Sequence, residues 1–439
     1  MNLPNLKINT SWENSGGARS RELAATWAKV RISAGNTVFT RVLDTRADTV
    51  REDVYFPLYP LAEWIACNWF FLLYEVPNPR KQNQREIEKR HDIRAGREGF
   101  AFPNISIWSE GETTSIKSKR FTAEAESVEY LAEGYEEVDS EKLRLELTEF
   151  IDLVCERLVS KEIYDTLLQE EWYAIQSMDK EERLFSAACA RIGQDPFSIK
   201  DQDAQKIVDV ASQLSDNLQE DFFDAADIKG LTEQLKALKR YLSDIKKNQR
   251  EVTELKRLRD ILPHTCYEKC MPWEEGYEAA RSLRDTLNLN GTLLNSKSLL
   301  QKAFRLHADE WKSCFLARKI PDSFFDSLVG LNKKQSPVFI VPQRNSEAQR
   351  FAFCRAFFEY LTSDGAALTN RSYSCRQKRN RAFAAELLAP SAILKQELGT
   401  HFADEETIAA LASHFGVSEF VIQHQIKNHQ LADPATHIY

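Results

Sequence analysis

The chain has 439 residues, which predicts two or three domains, and its 43% hydrophobic and 28% charged residues exclude a mostly disordered chain. Glycine is scarce, at 15 residues, so helices are favoured over a β-sandwich or barrel. The formal charge is −8, but residues 121–150 alone hold ten acidic and two basic residues, so acidity does not exclude an anion-binding site elsewhere in the chain.

Residues 1–125 are predicted to form a mixed α/β domain. Four stretches have the composition of strands: Thr37–Leu43, Asp53–Tyr59, Phe102–Trp108 and Thr113–Phe121. The last two flank Ser109–Glu112, a pattern typical of a hairpin. Apolar spacing over Leu61–Glu75 predicts a helix, and the polar, basic stretch 78–98 is interpreted as a loop.

Residues 126–262 are predicted to be a helical region. Ser140 is a suitable N-cap for a helix whose apolar positions recur through Leu158. From Ala226 to Leu262 the apolar residues keep helical spacing through a highly charged sequence, which predicts one long helix of about ten turns. Two roles for this helix stay open: half of a helical hairpin, or a stretch that forms a homodimer through residues 226–262.

Residues 263–439 are predicted to be the third domain, since Pro263 and Pro272 mark a boundary before them. Its predicted elements are two helices, a short strand and a closing group of helices, at 273–289, 296–317, Pro337–Val341 and beyond. The expected fold class is therefore α+β and predominantly α. It has a mixed α/β N-terminal domain, a helical middle region, and a C-terminal helical domain with a small sheet.

Two features predict a cytoplasmic protein that does not enter a membrane. Met1–Thr10 lacks the apolar core of a secretion signal. The longest apolar run, Leu61–Val76, is interrupted by Glu63, Asn68 and Glu75, and is too short and too polar to cross a bilayer. The eight cysteines are scattered, as expected of reduced cytosolic thiols.

Five segments of the C-terminal third carry a recognisable set of motifs. They are Pro272–Tyr277, Pro337–Val341, Arg350–Phe353, Phe383–Pro390 and Ile408–Ser418. With them, residues 272–431 resemble the ImmA/IrrE family of zinc-metallopeptidase-like proteins, in which Phe-Ala-Ala-Glu-Leu-Leu is a characteristic sequence. The resemblance implies a zincin-type helical domain and a bacterial or phage-derived setting, such as stress response, mobile-element control or phage defence.

The resemblance also implies where zinc would bind, and the residues for that chemistry are missing. An active member carries His-Glu-x-x-His on a helix, in which the two His bind zinc and the Glu activates a water molecule. Aligned on the preceding Arg-Phe pair, this motif falls on Arg355–Glu359, and the third ligand falls on Gln377. Arg355 and Glu359 then stand at ligand positions and Ala356 at that of the base. We expect no metal, no catalytic residue and no hydrolysis.

Two interpretations of the altered site stay open. In the first, packing and an ion pair between Arg355 and Glu359, four residues apart, replace the metal as the stabilising element. In the second, the site attracts an anion, either a phosphate-bearing molecule or an acidic segment such as residues 121–150, because bases are concentrated around position 377. The candidate anion-binding residues are Arg355, Arg371, Arg376, Lys378, Arg379 and Arg381.

Two cysteine-containing sites are weaker candidates. His264, Cys266 and Cys270 have soft side chains at short spacing, but a structural zinc site needs four ligands, usually as two pairs, and no second pair follows nearby. We therefore expect inert thiols there. Cys354 lies beside Arg355, and a neighbouring cation can lower the pKa of a thiol. Because its predicted helix contains no histidine to act as a base, a thiol protease is not expected.

The segment Thr407–Asn428 has the pattern of a helix-turn-helix. Gly416 suits the turn, and Ser418 can cap the second helix. That second helix carries few cations for phosphate contacts, so we expect a structural role within the fold and keep direct DNA binding as an alternative.

The sequence thus predicts a catalytically inactive ImmA/IrrE-like pseudopeptidase that acts as a binding or regulatory module, with an unidentified protein partner and no cofactor. Two alternatives stay open. One is an active metal-dependent peptidase with non-standard ligands, which metal analysis would reveal. The other is a nucleic-acid-binding regulator that uses the terminal helix pair or the bases of residues 371–381, which salt-dependent binding to DNA or RNA would reveal.

Overall fold

The computed structural model divides into two compact units, residues 2–208 and residues 209–439, here called the N-terminal and C-terminal units. The structure describes residues 3–14, 20–81, 83–97, 99–123, 128–262, 271–320, 324–399 and 402–434. Within these ranges it is α+β with a predominance of helix, as predicted. The helices predicted as a separate middle region are divided between the two units, and the three-domain division stays a prediction.

The N-terminal unit combines small antiparallel sheets with helices. Its strands are β1 (Leu6–Trp12), β2 (Trp27–Ala34), β3 (Thr37–Val38), β4 (Val42–Asp44), β5 (Thr49–Arg51), β6 (Val54–Pro57), β7 (Ile105–Ser109), β8 (Thr113–Ser118), β9 (Phe121–Ala123), β10 (Val128–Tyr130) and β11 (Gly134–Asp139). Three sheets result among the described residues, with the orders β1-β2-β3 (β6 also pairs with β2), β5-β4-β10-β9 and β11-β8-β7. The β7–β8 hairpin confirms the predicted one.

Several helices of this unit pack against its strands. They are α1 (Arg21–Ala25), α2 (Tyr59–Cys67), α3 (Trp69–Tyr74), α4 (Gln84–His91), a 3-10 turn (Ile93–Gly96), α5 (Ser140–Ser160), α6 (Leu167–Ser177) and α7 (Lys180–Ile192), and α8 (Asp201–Ala211) follows across the division. Because α5 packs against β1 and α2, the acidic stretch that contains its first turns belongs to this unit. None of the described helices combines the length and the apolar character needed to cross a bilayer.

Three predictions in this unit are wrong in detail. Thr37–Leu43 is two short strands separated by a turn, and Leu61–Glu75 is two helices. The break falls at Asn68, whose side-chain amide donates to the carbonyl of Trp64 at 2.8 Å and so ends α2. The stretch 78–98 contains α4, which apolar periodicity could not reveal because only two of its side chains are buried.

The C-terminal unit is built around a small mixed sheet and a long helix. Its helices are α9 (Asp216–Ala225), α10 (Leu231–Lys247), α11 (Thr253–Ile261), α12 (Pro272–Thr286), α13 (Lys297–Ala303), α14 (Ala308–Cys314), α15 (Ser346–Thr362), α16 (Cys375–Leu388), α17 (Ser391–Leu398), α18 (Glu405–Phe415) and α19 (Glu419–Asn428). Its strands are β12 (Phe315–Arg318), β13 (Ser327–Leu331), β14 (Pro337–Pro342), β15 (Ala367–Thr369), β16 (Phe402–Ala403) and β17 (Asp433–Pro434).

The main sheet has the order β12-β14-β13-β15 and supports α15. β12 is parallel to β14, whereas β13 is antiparallel to both of its neighbours. The fully buried β14 confirms the predicted strand, and α15 packs on β13, β14 and β15. The packing centres on the aromatic rings of Phe339, Phe353 and Phe357, all of which are inaccessible to solvent.

Two helix predictions in this unit are wrong. The long helix predicted over residues 226–262 is divided into α10 and α11, and the helix predicted over 296–317 is divided into α13 and α14 and followed by β12. The apolar positions of the first segment, from Leu231 to Leu258, are mostly buried within this chain, so they do not form a free apolar face. A homodimer through this segment stays a prediction.

Helices α12 and α16 approach each other unusually closely at Gly276. A Cβ atom at this position would lie 2.2 Å from the carbonyl oxygen of Arg379 and 2.9 Å from the backbone nitrogen of Phe383. Both of these atoms belong to the backbone of α16 and cannot turn away. Glycine is therefore required for this helix pair, which brings α12 against the helix that carries Gln377.

We predict that Gly276→Ala lowers the free energy of unfolding by about 3 kcal/mol, although alanine is intrinsically the better helix former by about 1 kcal/mol. The reason is the steric overlap with α16, and urea denaturation followed by circular dichroism measures the effect. Glu278→Ala, a half-exposed position on the same helix, is the control and should change stability by less than about 0.5 kcal/mol. A Gly276→Ala variant as stable as wild type would contradict the close approach.

Candidate functional site

Helices α15 and α16 bring together the three positions at which the family would hold its metal ligands. Asn345 caps α15 by accepting a hydrogen bond from Ala348, and Ser374 caps α16 by accepting one from the backbone of Gln377. One face of α15 packs on the sheet, and its other side turns Arg355 and Glu359 towards Gln377 on α16. All three side chains are buried.

The guanidinium group of Arg355 is enclosed by oxygen atoms. Its Nε donates to Oδ1 of Asn380 at 2.6 Å, and Nη1 donates to Oδ2 of Asp326 at 2.8 Å. Nη2 donates both to the carbonyl of Asn370 at 2.6 Å and to Oε1 of Gln377 at 2.7 Å. Burial lowers the pKa of Arg355 from its ordinary value, and the charge of Asp326 opposes that shift. The group is only 4% exposed, so it is an internal cation.

Glu359 has a different cationic partner from the one considered in the sequence. Its Oε2 accepts from Nε of Arg376 at 2.8 Å and from the hydroxyl of Ser363 at 3.2 Å. Its Oε1 accepts from the side-chain amide of Asn380 at 3.0 Å. Arg355 pairs with Asp326, which lies outside α15. The side chain of Asn380 accepts from Arg355 and donates to Glu359, and so links the two. The pair expected along one turn of the helix is thus replaced by a network that spans α15 and α16.

Asp221 of α9 also contacts the site. Its Oδ1 accepts from the side-chain amide of Gln377 at 2.8 Å, and its Oδ2 lies 3.0 Å from Nη1 of Arg376. Its backbone carbonyl accepts from the side chain of Asn370 at 2.9 Å. Complete burial raises the pKa of the Asp221 carboxyl to about 7, although the charge of Arg376 opposes the shift. Keeping this carboxylate ionised therefore depends on Arg376.

Sequence reasoning identified Arg355, Glu359, Arg376 and Gln377 as site residues and missed the other members of the network. Asn380 had a detectable signal, because it lies three residues after Gln377 and thus on the same face of α16. Asp221 and Asp326 had none, since each is far from the site in sequence and lies among residues with no motif.

The bases predicted to bind an anion are engaged within the chain. Four ion pairs are formed: Arg371–Asp326 at 3.5 Å, Arg376–Asp221 at 3.0 Å, Arg376–Glu359 at 2.7 Å and Arg379–Glu275 at 2.7 Å. Lys378 lies over the ring of Trp273, and Arg381 lies over that of Tyr373. An external anion would have to compete with these acids. Anion binding at this site stays a prediction, and the ion pairs count against it.

The residues at this site do not fit a zinc ion. An arginine cannot supply a lone pair, the side chain of Ala356 has no donor atom, and Gln377 offers only a neutral amide oxygen, already engaged by Arg355. That leaves Glu359 as the one good ligand among the aligned positions. Across the part of the chain that the structure describes, no group of three or more His, Cys, Asp or Glu side chains is arranged to hold a metal.

The two cysteine-containing candidates have different outcomes. Burial raises the pKa of the Cys354 thiol to about 12, the opposite of the lowering that a neighbouring cation could cause. The side chain is inaccessible to solvent. His264, Cys266 and Cys270 lie outside the described residues.

The terminal helix pair is held to the rest of the unit by Arg350. A Cβ atom at Gly416, which has φ +62°, would lie 2.7 Å from Nη2 of Arg350, so the turn between α18 and α19 requires glycine. The guanidinium donates to the carbonyls of Leu294 and Gly416 and is 1% exposed. The predicted helix-turn-helix geometry is present, and its apolar face is buried in this unit.

A second buried carboxylate, Glu386, joins four helices. It accepts hydrogen bonds from Arg281 on α12 at 3.1 Å, from the hydroxyl of Ser391 on α17 at 2.9 Å and from Gln425 on α19 at 2.9 Å. His429, just after α19, lies 3.4 Å away. Burial alone would raise the pKa of Glu386, but these hydrogen bonds and the charge of Arg281 outweigh it and lower the pKa to about 2.

We predict that Arg355→Ala lowers the free energy of unfolding by about 4 kcal/mol, because it removes the buried cation that donates to Asp326, Asn370, Gln377 and Asn380 and leaves a cavity among their oxygen atoms. Urea denaturation measures the loss. The matched control is Arg371→Ala, which removes a half-exposed cation beside the same Asp326 and should cost less than about 1 kcal/mol. Equal losses in the two variants would contradict the central position of Arg355.

We predict that Glu386 makes the C-terminal unit sensitive to acid. Because its folded-state pKa is about 2, below the ordinary 4.5, its contribution is fully present above pH 4.5 and is lost as the pH falls through about 2. The shift corresponds to about 3 kcal/mol. The difference in unfolding free energy between wild type and Glu386→Gln should therefore shrink between pH 5 and pH 3. A difference that shrinks by less than about 0.5 kcal/mol over this range would contradict the prediction.

Comparison with known proteins finds a family similarity in part of the C-terminal unit. Residues 330–427 match the model of the IrrE N-terminal-like domain of the peptidase M78 family. The matched segment contains β14, α15, β15, α16, α17 and α18, and so includes every aligned ligand position. No curated protein matches the chain. The resemblance to the ImmA/IrrE family that the sequence predicts is therefore confirmed for residues 330–427.

Proposed function

We propose that the C-terminal unit is a metal-free, peptidase-like domain that acts as a binding or regulatory module and does not hydrolyse peptides. One observation carries the proposal. The guanidinium of Arg355 occupies the position of the first metal ligand and is bonded to oxygen atoms of Asp326, Asn370, Gln377 and Asn380. The groups that would otherwise be available to a metal ion are thereby engaged by a cation of the chain itself.

Electrostatics and chemistry both support inactivity. A dication within a few ångströms of a buried guanidinium would be strongly repelled, because the low dielectric of the interior magnifies the interaction of like charges. Hydrolysis would also need a base to activate water, and Ala356 stands at the position of that base. The setting we propose follows the family resemblance: a cytoplasmic protein of a bacterial or phage-derived system for stress response, mobile-element control or phage defence.

Metal analysis of the purified chain tests the proposal directly. After incubation with excess zinc and removal of unbound metal, we expect less than about a tenth of an equivalent of zinc per chain. One equivalent of zinc, with peptide hydrolysis that a chelator abolishes, would favour the active peptidase with non-standard ligands and overturn the proposal. Salt-dependent binding of DNA or RNA would instead favour the nucleic-acid-binding regulator.

We predict that zinc binding returns only when the whole ligand set is restored. The variant that combines Arg355→His, Ala356→Glu, Glu359→His and Gln377→Glu should bind about one zinc, since zinc needs three protein ligands and an open position. Arg355→His alone should bind none, because the new histidine and Glu359 supply only two of the three protein ligands. Isothermal titration calorimetry with zinc measures both, and Arg371→His serves as the control for a histidine added nearby. Tight binding by the single variant would show that another residue is already a ligand.

A further inference from the structure

Helix α9 covers the site in the way that a bound peptide would. It packs on β15, the edge strand of the main sheet, and inserts Asp221 between Arg376 and Gln377. The backbone of α9 is bound as well: the carbonyl of Asp221 accepts from the side chain of Asn370, and that of Asn217 accepts from Arg376 at 3.4 Å. The cleft bounded by α15, α16 and β15 therefore recognises both the charge and the main chain of this helix.

The buried residues of α9 include two acids, Asp221 and Asp224, and two aromatic side chains. Phe222 and Phe223 are no more than 1% exposed, and the ring of Phe222 packs edge-on against Phe324 with centroids 5.2 Å apart. Asp216 and Glu220 of the same helix are exposed. An occupant of this cleft must therefore supply buried carboxylates and two large apolar side chains within about one turn of a helix.

Helix α9 is joined to its neighbouring helices by residues 212–215 and 226–230. It lies within residues 212–230, between the end of α8 and the start of α10, and is not a strand of the sheet. Asp221 of α9 accepts from Gln377 and lies against Arg376. The acidic segment predicted to compete for the site, residues 121–150, belongs to the N-terminal unit. Helix α9 belongs to the C-terminal unit and contacts the site directly.

We infer that this cleft is a binding surface for an acidic amphipathic helix, that α9 fills it in the isolated chain, and that a partner protein with the same Asp-Phe-Phe pattern binds by exchange with α9. The inference rests on the proposed function as a binding module and names the class of partner. A tethered occupant has a high effective concentration, so a partner binds strongly only where its own contacts exceed those of α9 or where α9 is weakened.

The test uses the full chain and a fluorescein-labelled synthetic peptide with the sequence of residues 214–227. Asp221→Arg places a cation against Arg376 and should expel α9 while leaving the cleft intact. By fluorescence anisotropy, this variant should bind the peptide at least tenfold more tightly than wild type does. Asp216→Arg, the same charge change at an exposed position of α9, should bind the peptide as weakly as wild type.

A second peptide tests whether the carboxylate is recognised. The version with Asp221→Asn should lose at least tenfold in affinity for the Asp221→Arg chain. Hydrogen exchange shows whether residues 216–225 have left the cleft in that chain. If they have left and the peptide still does not bind, or if they remain protected, the inference is overturned.

A measurement on the wild-type chain covers the case in which Asp221→Arg fails to fold. Millimolar unlabelled peptide should accelerate amide exchange in residues 216–225 and leave exchange in α10 unchanged. No acceleration at any peptide concentration would overturn the inference. Zinc content is measured on the same samples: a chain that holds zinc contradicts the proposed function, whereas the peptide results alone decide whether the cleft accepts an acidic helix.

Discussion

The C-terminal unit depends on the burial of one guanidinium group. Transferring an arginine side chain from water to a protein interior costs several kcal/mol unless its charge is paired and its N–H groups are bonded. At Arg355 both conditions are met, by the carboxylate of Asp326 and by three neutral oxygens. Because the guanidinium is planar and its N–H directions are fixed, the acceptors must come from several elements at defined positions. A cation of the chain thus organises α15, α16 and the segments before β13 and α16.

This arrangement shows how a site without metal ligands can hold several elements together. A metal ion draws together donors from separate elements, and a buried guanidinium does the same with acceptors. Gln377 shows the change of role: its amide oxygen accepts from Arg355 while its amide nitrogen donates to Asp221 on α9. A glutamate at this position could accept in both directions but could not donate to Asp221. The network therefore fits the residues present and would be disturbed by returning any one of them to a ligand.

The sequence predicted the elements that local patterns determine and missed those that distant contacts determine. The β7–β8 hairpin and strand β14 have strong local signals and were found. The division between α10 and α11 was missed because the apolar spacing continues through it. There, Asn248 accepts a hydrogen bond from the backbone of Arg250 at 3.0 Å, and the backbone of Val252 donates to Ser336 at 3.0 Å. These polar contacts end the helix, and hydrophobic periodicity does not report them.

The bases of residues 371–381 show the same limit for charge. In the sequence they form a run without acids, and a run of that kind indicates a positive surface. In the fold, acids from four other places reach them: Asp221 on α9, Glu275 on α12, Asp326 before β13 and Glu359 on α15. A local excess of one charge therefore predicts where ion pairs are needed, but not whether the opposite charge comes from the same chain or from a ligand. Because Asp221 reaches Arg376 from 155 positions away, only the tertiary structure could decide this.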